Sequence, residues 1–111
     1  MNDSILTSIK LKMLMSPEDD EYIDPSIIMA INTAIFILNQ IGIGPDDFEI
    51  TGKGDVWSDF INDKTVLNAV KTFIYLSVKL DVDPPASNAV MECYKRKLDE
   101  LTSRLNIQVD I

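Results

Sequence analysis

All four glycines of this chain (Gly42, Gly44, Gly52, Gly54) fall in one stretch, and all five prolines (Pro17, Pro25, Pro45, Pro84, Pro85) stand where a helix would begin or end. The segments between them carry no strong helix breaker, so their apolar spacing decides what they become. That spacing is helical nearly throughout. A first helix over 3–14 has Ile5, Ile9 and Met13 at i, i+4, i+8 with Leu6 beside them, and Asp3 or Ser4 can cap its free N–H groups. Asp24-Pro25 opens a second helix over 24–41, with proline at the first helical position, where its missing N–H costs nothing. Its inward stripe is Ile28, Ile31, Ile35 and Leu38, flanked by Ile27, Ala34 and Ile41. A third helix over 63–81 turns Val66, Val70, Phe73, Ser77 and Leu80 inward, widened by Leu67, Ile74 and Val78, until Asp83-Pro84-Pro85 ends it. A last helix over 87–105, capped by Ser87 or Asn88, has the narrow seam Val90, Tyr94, Leu98, Leu101 and Leu105. The i, i+4 pairs Glu92–Arg96, Lys95–Asp99, Arg96–Glu100 and Glu100–Arg104 lace its exposed side, each adding roughly 0.2–0.5 kcal/mol.

Two segments break the pattern. Residues 42–57 hold Phe48-Glu49-Ile50-Thr51, a Gly52-Lys53-Gly54 turn and Asp55-Val56-Trp57, which predicts two short strands around a glycine turn. Ser58 or Asp59 then starts a short helical turn through Asn62. The tail 106–111 alternates Ile107, Val109 and Ile111 with polar residues, as an unpaired strand would. The expected fold is all-α: one domain over 1–111, a small bundle of four helices with a loop or short β-hairpin between the second and third. A chain of 111 residues with 46% hydrophobic and 25% charged side chains is long enough and apolar enough to bury a core without disulfides or metals.

Side-chain inventory removes most chemistry. There is no histidine and one cysteine, Cys93, so a Ser-His or Cys-His nucleophile, an imidazole ligand and an internal disulfide are all excluded. Glu18-Asp19-Asp20-Glu21 with Asp24 is the densest carboxylate cluster. It lacks the glycine and terminal glutamate of a calcium loop, and Glu18-x-x-Glu21 has no facing Glu-x-x-Asp helix of the kind a nucleotide pyrophosphatase needs, so it is read as a solvated connector. The glycine pairs do not make a phosphate loop: Asp47 stands where the Walker pattern requires glycine, and Gly54 where it requires Ser or Thr. Cys93 has Arg96 and Lys97 one turn on, which can lower a thiol pKa, but with no base beside it packing is the expectation. No cofactor, metal or catalytic residue is expected.

Charge narrows the partners. Ten Lys and Arg against eighteen Asp and Glu give −8, and residues 1–50 account for −7 of it (two basic, nine acidic) while 51–111 account for −1 (eight basic, nine acidic). Nucleic-acid binding through phosphate contacts needs the opposite balance, and an acidic surface repels acidic membranes and attracts basic patches on proteins. The apolar run Ile27–Ile43 is about the minimum length for a span and is interrupted by Asn32, Asn39 and Gln40. Met1-Asn2-Asp3-Ser4 has no basic start of a secretory signal, so a cytoplasmic protein is expected. On the second helix, Met29, Asn32, Thr33, Phe36 and Gln40 share the face away from the core stripe. Met29 and Phe36 make that face too apolar for plain solvent, so a neighbouring helix or the loop is expected to cover it, with a subunit contact as the alternative. Trp57, grouped with Phe48 and Phe60, is expected to cap the core, with a partner anchor as the alternative. The candidate partner contacts are therefore Met29, Phe36, Phe48, Trp57, Ile107, Val109 and Ile111.

Tyr22-Ile23-Asp24-Pro25-x-Ile27-Ile28, Ile31-Asn32-x-Ala34 and Asn39-Gln40-x-Gly42-x-Gly44-Pro45 stand in this order, followed by Trp57-Ser58-Asp59-Phe60, Asp83-Pro84-Pro85-x-Ser87-x-Ala89-Val90 and Leu101-x-x-Arg104-Leu105-Asn106. Together they resemble the head–tail connector (adaptor, or DNA-packaging) proteins of long-tailed bacteriophages and prophages. The resemblance covers nearly the whole chain and rests on structural punctuation, with no enzymatic residues to carry over. It implies a non-enzymatic helical subunit, assembled in the host cytoplasm, that forms a homo-oligomeric ring below the portal protein in the virion neck. There it would continue the DNA channel and meet the neck and tail completion proteins, DNA passing without sequence-specific binding and no membrane being involved. By position it places 106–111 toward the portal and 46–57 toward the channel or tail side. An acidic lining suits such a conduit, because DNA slides past a like-charged wall. The competing expectation is a small acidic regulator, such as a DNA mimic, that masks a basic partner. An enzyme acting through Glu18 and Glu21 ranks third.

Overall fold

Helix α1, Ile5–Lys12, starts where Ser4 turns its hydroxyl back to accept the Thr7 N–H at 3.2 Å and thereby satisfies one of the free donors of the first turn. The computed structural model describes residues 4–13 and 24–110. The carboxylates 18–21, the Asp3 cap and Ile111 lie outside the described residues. Five helices are described: α1, α2 (Asp24–Gln40), α3 (Trp57–Phe60), α4 (Lys64–Val82) and α5 (Asn88–Asp110).

Helix α2 ends as its glycine predicts. Gly42 takes φ 92°, its N–H reaches the Asn39 carbonyl at 3.0 Å, and the Ile43 N–H reaches the Leu38 carbonyl at 2.9 Å. This is a Schellman closure, and Ile43 and Leu38, which it brings together, are both buried in the core. The Asn39 amide, in the orientation that suits its carbonyl neighbours, donates from its nitrogen to Ile43 O at 2.7 Å and Pro45 O at 3.2 Å. At the start of α4, Asp63 accepts from the Thr65 hydroxyl (2.7 Å) and backbone N–H (2.9 Å), and these two bonds, the hydroxyl first, hold its carboxyl below the usual aspartate pKa. Ser87 accepts the Val90 N–H at 3.3 Å to start α5.

Helix α4 lies between its neighbours: it packs against both α2 and α5, which do not form a comparable contact with each other, and α1 sits across α2 and α4. This explains a shift from the expected stripe. Leu76, Ile74 and Val78 are buried with Val66, Val70 and Phe73, whereas Ser77 and Leu80 are only half-buried. A single inward face suits a helix with one neighbour, but α4 has neighbours on several sides, so its apolar arc is wider.

The insert does not form the expected hairpin; no strand occurs among the described residues. Its backbone groups find other partners. The Asp55 carboxylate accepts from Thr51 N–H at 2.7 Å and Gly52 N–H at 3.3 Å, which closes the turn on itself. One arm then pairs with the Asn32 side chain, and the other with the N-terminus through Ile5 N–H to Asp55 O at 2.9 Å and an isolated antiparallel bridge between Ser4 and Val56. The four-helix expectation is corrected in the same segment by α3, which begins at Trp57. The strand-like tail is also corrected: α5 continues through Asp110. No breaker follows Leu105, and each further helical residue adds a hydrogen bond, whereas a lone strand there has no edge to pair with.

Candidate interaction surface

The apolar spacing of α2 buries Ile27, Ala30, Ile31, Ala34, Ile35 and Leu38 on one side. What remains points away from the core. Met29 is 72% exposed and Phe36 61%, so among the described residues no helix or loop covers this face as expected. The insert runs alongside instead, because Asn32 holds it at the border. The Asn32 amide donates to Ile50 O at 3.0 Å and accepts the Ile50 N–H at 2.8 Å, an arrangement that imitates a strand pair while the Ile50 side chain is buried beneath. Sequence reasoning left Asn32 among the outward residues; an amide beside an apolar stripe, facing an insert without regular structure, was the available signal. Asn32→Ala leaves two buried backbone groups without partners, at about 1–3 kcal/mol apiece. The expected result is a fall of about 2 kcal/mol in urea-measured stability with faster hydrogen exchange at the Ile50 amide.

Between α2 and the tethered insert runs a shallow groove lined by Pro25, Ile28, Met29, Thr33, Phe36 and Thr51. It continues past Phe36 and Gln40 onto Asp46, Asp47 and Glu49, so an apolar strip ends in an acidic rim. Ile37, 41% exposed, widens the strip beyond the residues singled out from spacing.

The other candidate contacts sit elsewhere. Phe48 is half-buried and stacks on Phe60 with ring centroids 5.2 Å apart. Trp57 is in the core, 3% exposed; its Nε1–H donates to Ser8 Oγ at 3.1 Å and Lys71 Nζ stands 5.4 Å above its ring. Ile107 and Val109 belong to the last turns of α5.

On the far flank, α5 buries only Leu105 fully among its described side chains and keeps Tyr94, Leu98 and Leu101 half-buried. Of the four expected ion pairs, Glu100–Arg104 forms at 3.0 Å. Lys95 turns back to Glu92 at 3.9 Å, and Arg96 points its guanidinium at Cys93 Sγ, 3.6 Å away. Ala89, Val90, Cys93, Arg96 and Lys97 are all exposed. No group of three or more metal-ligating side chains occurs among the described residues, and no described helix is long and apolar enough to cross a membrane. The surface offers shape and charge.

Compared with known proteins, the chain matches the family described as phage connector protein over residues 5–111. No curated protein and no solved structure matches it.

Proposed function

Because the chain belongs to the phage connector protein family, we propose that it is a structural subunit of the phage head–tail junction, forming a ring below the portal in the virion neck. The family match along residues 5–111 carries this reading. Three features support it. The side chains hold no histidine and a single exposed cysteine, which suits assembly better than turnover. The net charge of −8 suits a conduit wall past which DNA moves without sticking. The apolar strip on α2 gives neighbouring subunits something to bury.

In this reading residues 1–111 act as one helical unit, Met29 and Phe36 take subunit contacts, and the segment 46–57 looks toward the channel or the tail side. The end of α5, which holds Ile107 and Val109, meets the portal together with Ile111 beyond it. The test is electron microscopy of the purified chain mixed with the portal protein encoded in the same genome. Rings stacked on portal particles are the expected result. A chain that stays monomeric and does not bind the portal particles would overturn it.

A further inference from the structure

We propose that the groove between α2 and the insert receives a basic amphipathic helix from a different protein, with its apolar face on Met29 and Phe36 and its lysines or arginines against carboxylates at the two ends of the groove. The inference rests on the connector reading and deepens it. Residues 46–49 belong to the segment which that reading turns toward the channel or the tail side, so the helix belongs to a subunit on that side.

The groove is apolar in the middle and acidic at both ends. Its central wall, with Pro25, Met29 and Phe36, holds no charged side chain. Past Phe36 it opens onto Asp46, Asp47 and Glu49, and past Met29 onto Asp81. All four carboxylates are exposed, and none makes an ion pair among the described residues. No lysine or arginine stands in these walls; α2 has none, and Lys53, the one cation of the insert, lines no part of them.

Charge selects the occupant. The connector 14–23 holds four carboxylates and no cation. A second copy carries −8, and its α5 matches four cations with four carboxylates. Either would set like charge against the ends of the groove, whereas a cationic segment is drawn to them. Shape selects a helix. No strand occurs among the described residues, and Asn32 already holds both backbone groups of Ile50, so an added strand has no edge to extend. Met29, Thr33 and Phe36 stand at i, i+4, i+7 along α2 and are exposed. They span about 10.5 Å, the spacing of the anchors on a helix laid alongside.

The probe is an alanine-based helical peptide with leucine at i, i+4 and i+7 and lysines beyond each end, titrated into the full chain. Amide shifts confined to residues 25–36, 46–51 and the neighbourhood of Asp81 are expected. Phe36→Ala weakens binding about thirtyfold, and Asp46→Asn with Glu49→Gln about tenfold. Asp99→Asn with Glu100→Gln, on exposed α5 positions, leaves it unchanged. The same peptide with glutamate for lysine, or serine for leucine, is expected not to bind. No binding, equal binding of the glutamate peptide, or equal weakening by the α5 pair overturns the proposal. So does a dimer of the free chain that Phe36→Ala dissociates, which gives the face to a second copy. Nuclear Overhauser contacts from the Phe36 ring to Tyr22 or Ile23 in the free chain give it to the connector and overturn the proposal likewise. The two readings fail separately. Peptide binding without portal docking sinks the connector function and keeps this groove, and docking without peptide binding does the reverse.

Discussion

Gly44→Ala lowers the stability of the fold by about 3 kcal/mol or more, far beyond the same change at Gly52 or Gly54. Two costs add. Gly44 has φ 81°, and a Cβ built there stands 2.1 Å from Phe60 Cε1 and 2.7 Å from Cδ1. The left-handed backbone costs an L-residue about 1–2 kcal/mol, and forced displacement of a packed group typically costs about 1–3 kcal/mol. The ring cannot simply turn aside, since Phe48 stacks on it. Gly52→Ala and Gly54→Ala are the controls: a Cβ at either position meets nothing within 4 Å. Urea midpoints for the three variants check the expectation, with the loss confined to Gly44.

Lys10→Ala is expected to cost about 3–5 kcal/mol, the range for removing one partner of a buried ion pair. Lys10 is 1% exposed and its Nζ lies 2.7 Å from Asp24 Oδ1, whose side chain is 15% exposed. That oxygen takes no aligned hydrogen bond among the described residues, so attraction to the ammonium is what offsets its burial. Lys10→Met keeps the packed stem and removes only the charge, and is expected to recover part of the loss. A double-mutant cycle of Lys10→Met with Asp24→Asn isolates the pair. A combined loss equal to the sum of the single losses would show that the two side chains do not stabilise each other.

These two sites show where sequence reading reaches its limit. The expected bounds of α2 and α4 and the start of α5 lie within a residue of those observed, because caps and breakers act locally, whereas the expected end of α5 at 105 falls five residues short of Asp110. Ser4 and Ser87 cap as their positions suggest. Lys10 was legible only in part: it falls four residues after Leu6 and three before Met13, on the edge of the apolar stripe, but its partner is fixed by how α1 meets α2. The insert was misread because alternation and a glycine turn describe a hairpin only if the two arms prefer each other. Here Asn32 and the N-terminal residues Ser4 and Ile5 compete for those backbone groups and win. For α5 the alternating tail suggested a strand, although helix continuation needed no tertiary partner. Met29 and Phe36 were expected under a neighbouring helix or the loop, with a subunit contact as the alternative; both are exposed, because the insert runs beside them, held by Asn32.

The seating of Trp57 has a practical consequence. It is the only tryptophan in the chain, and it touches residues from two distant parts of the sequence, with Ser8 as its hydrogen-bond acceptor and Lys71 above its ring. Its emission is therefore a built-in gauge of one junction. Helix α1, with eight residues, is too short to persist in water by itself, so its departure would redden the fluorescence before circular dichroism registers any bulk loss of helix.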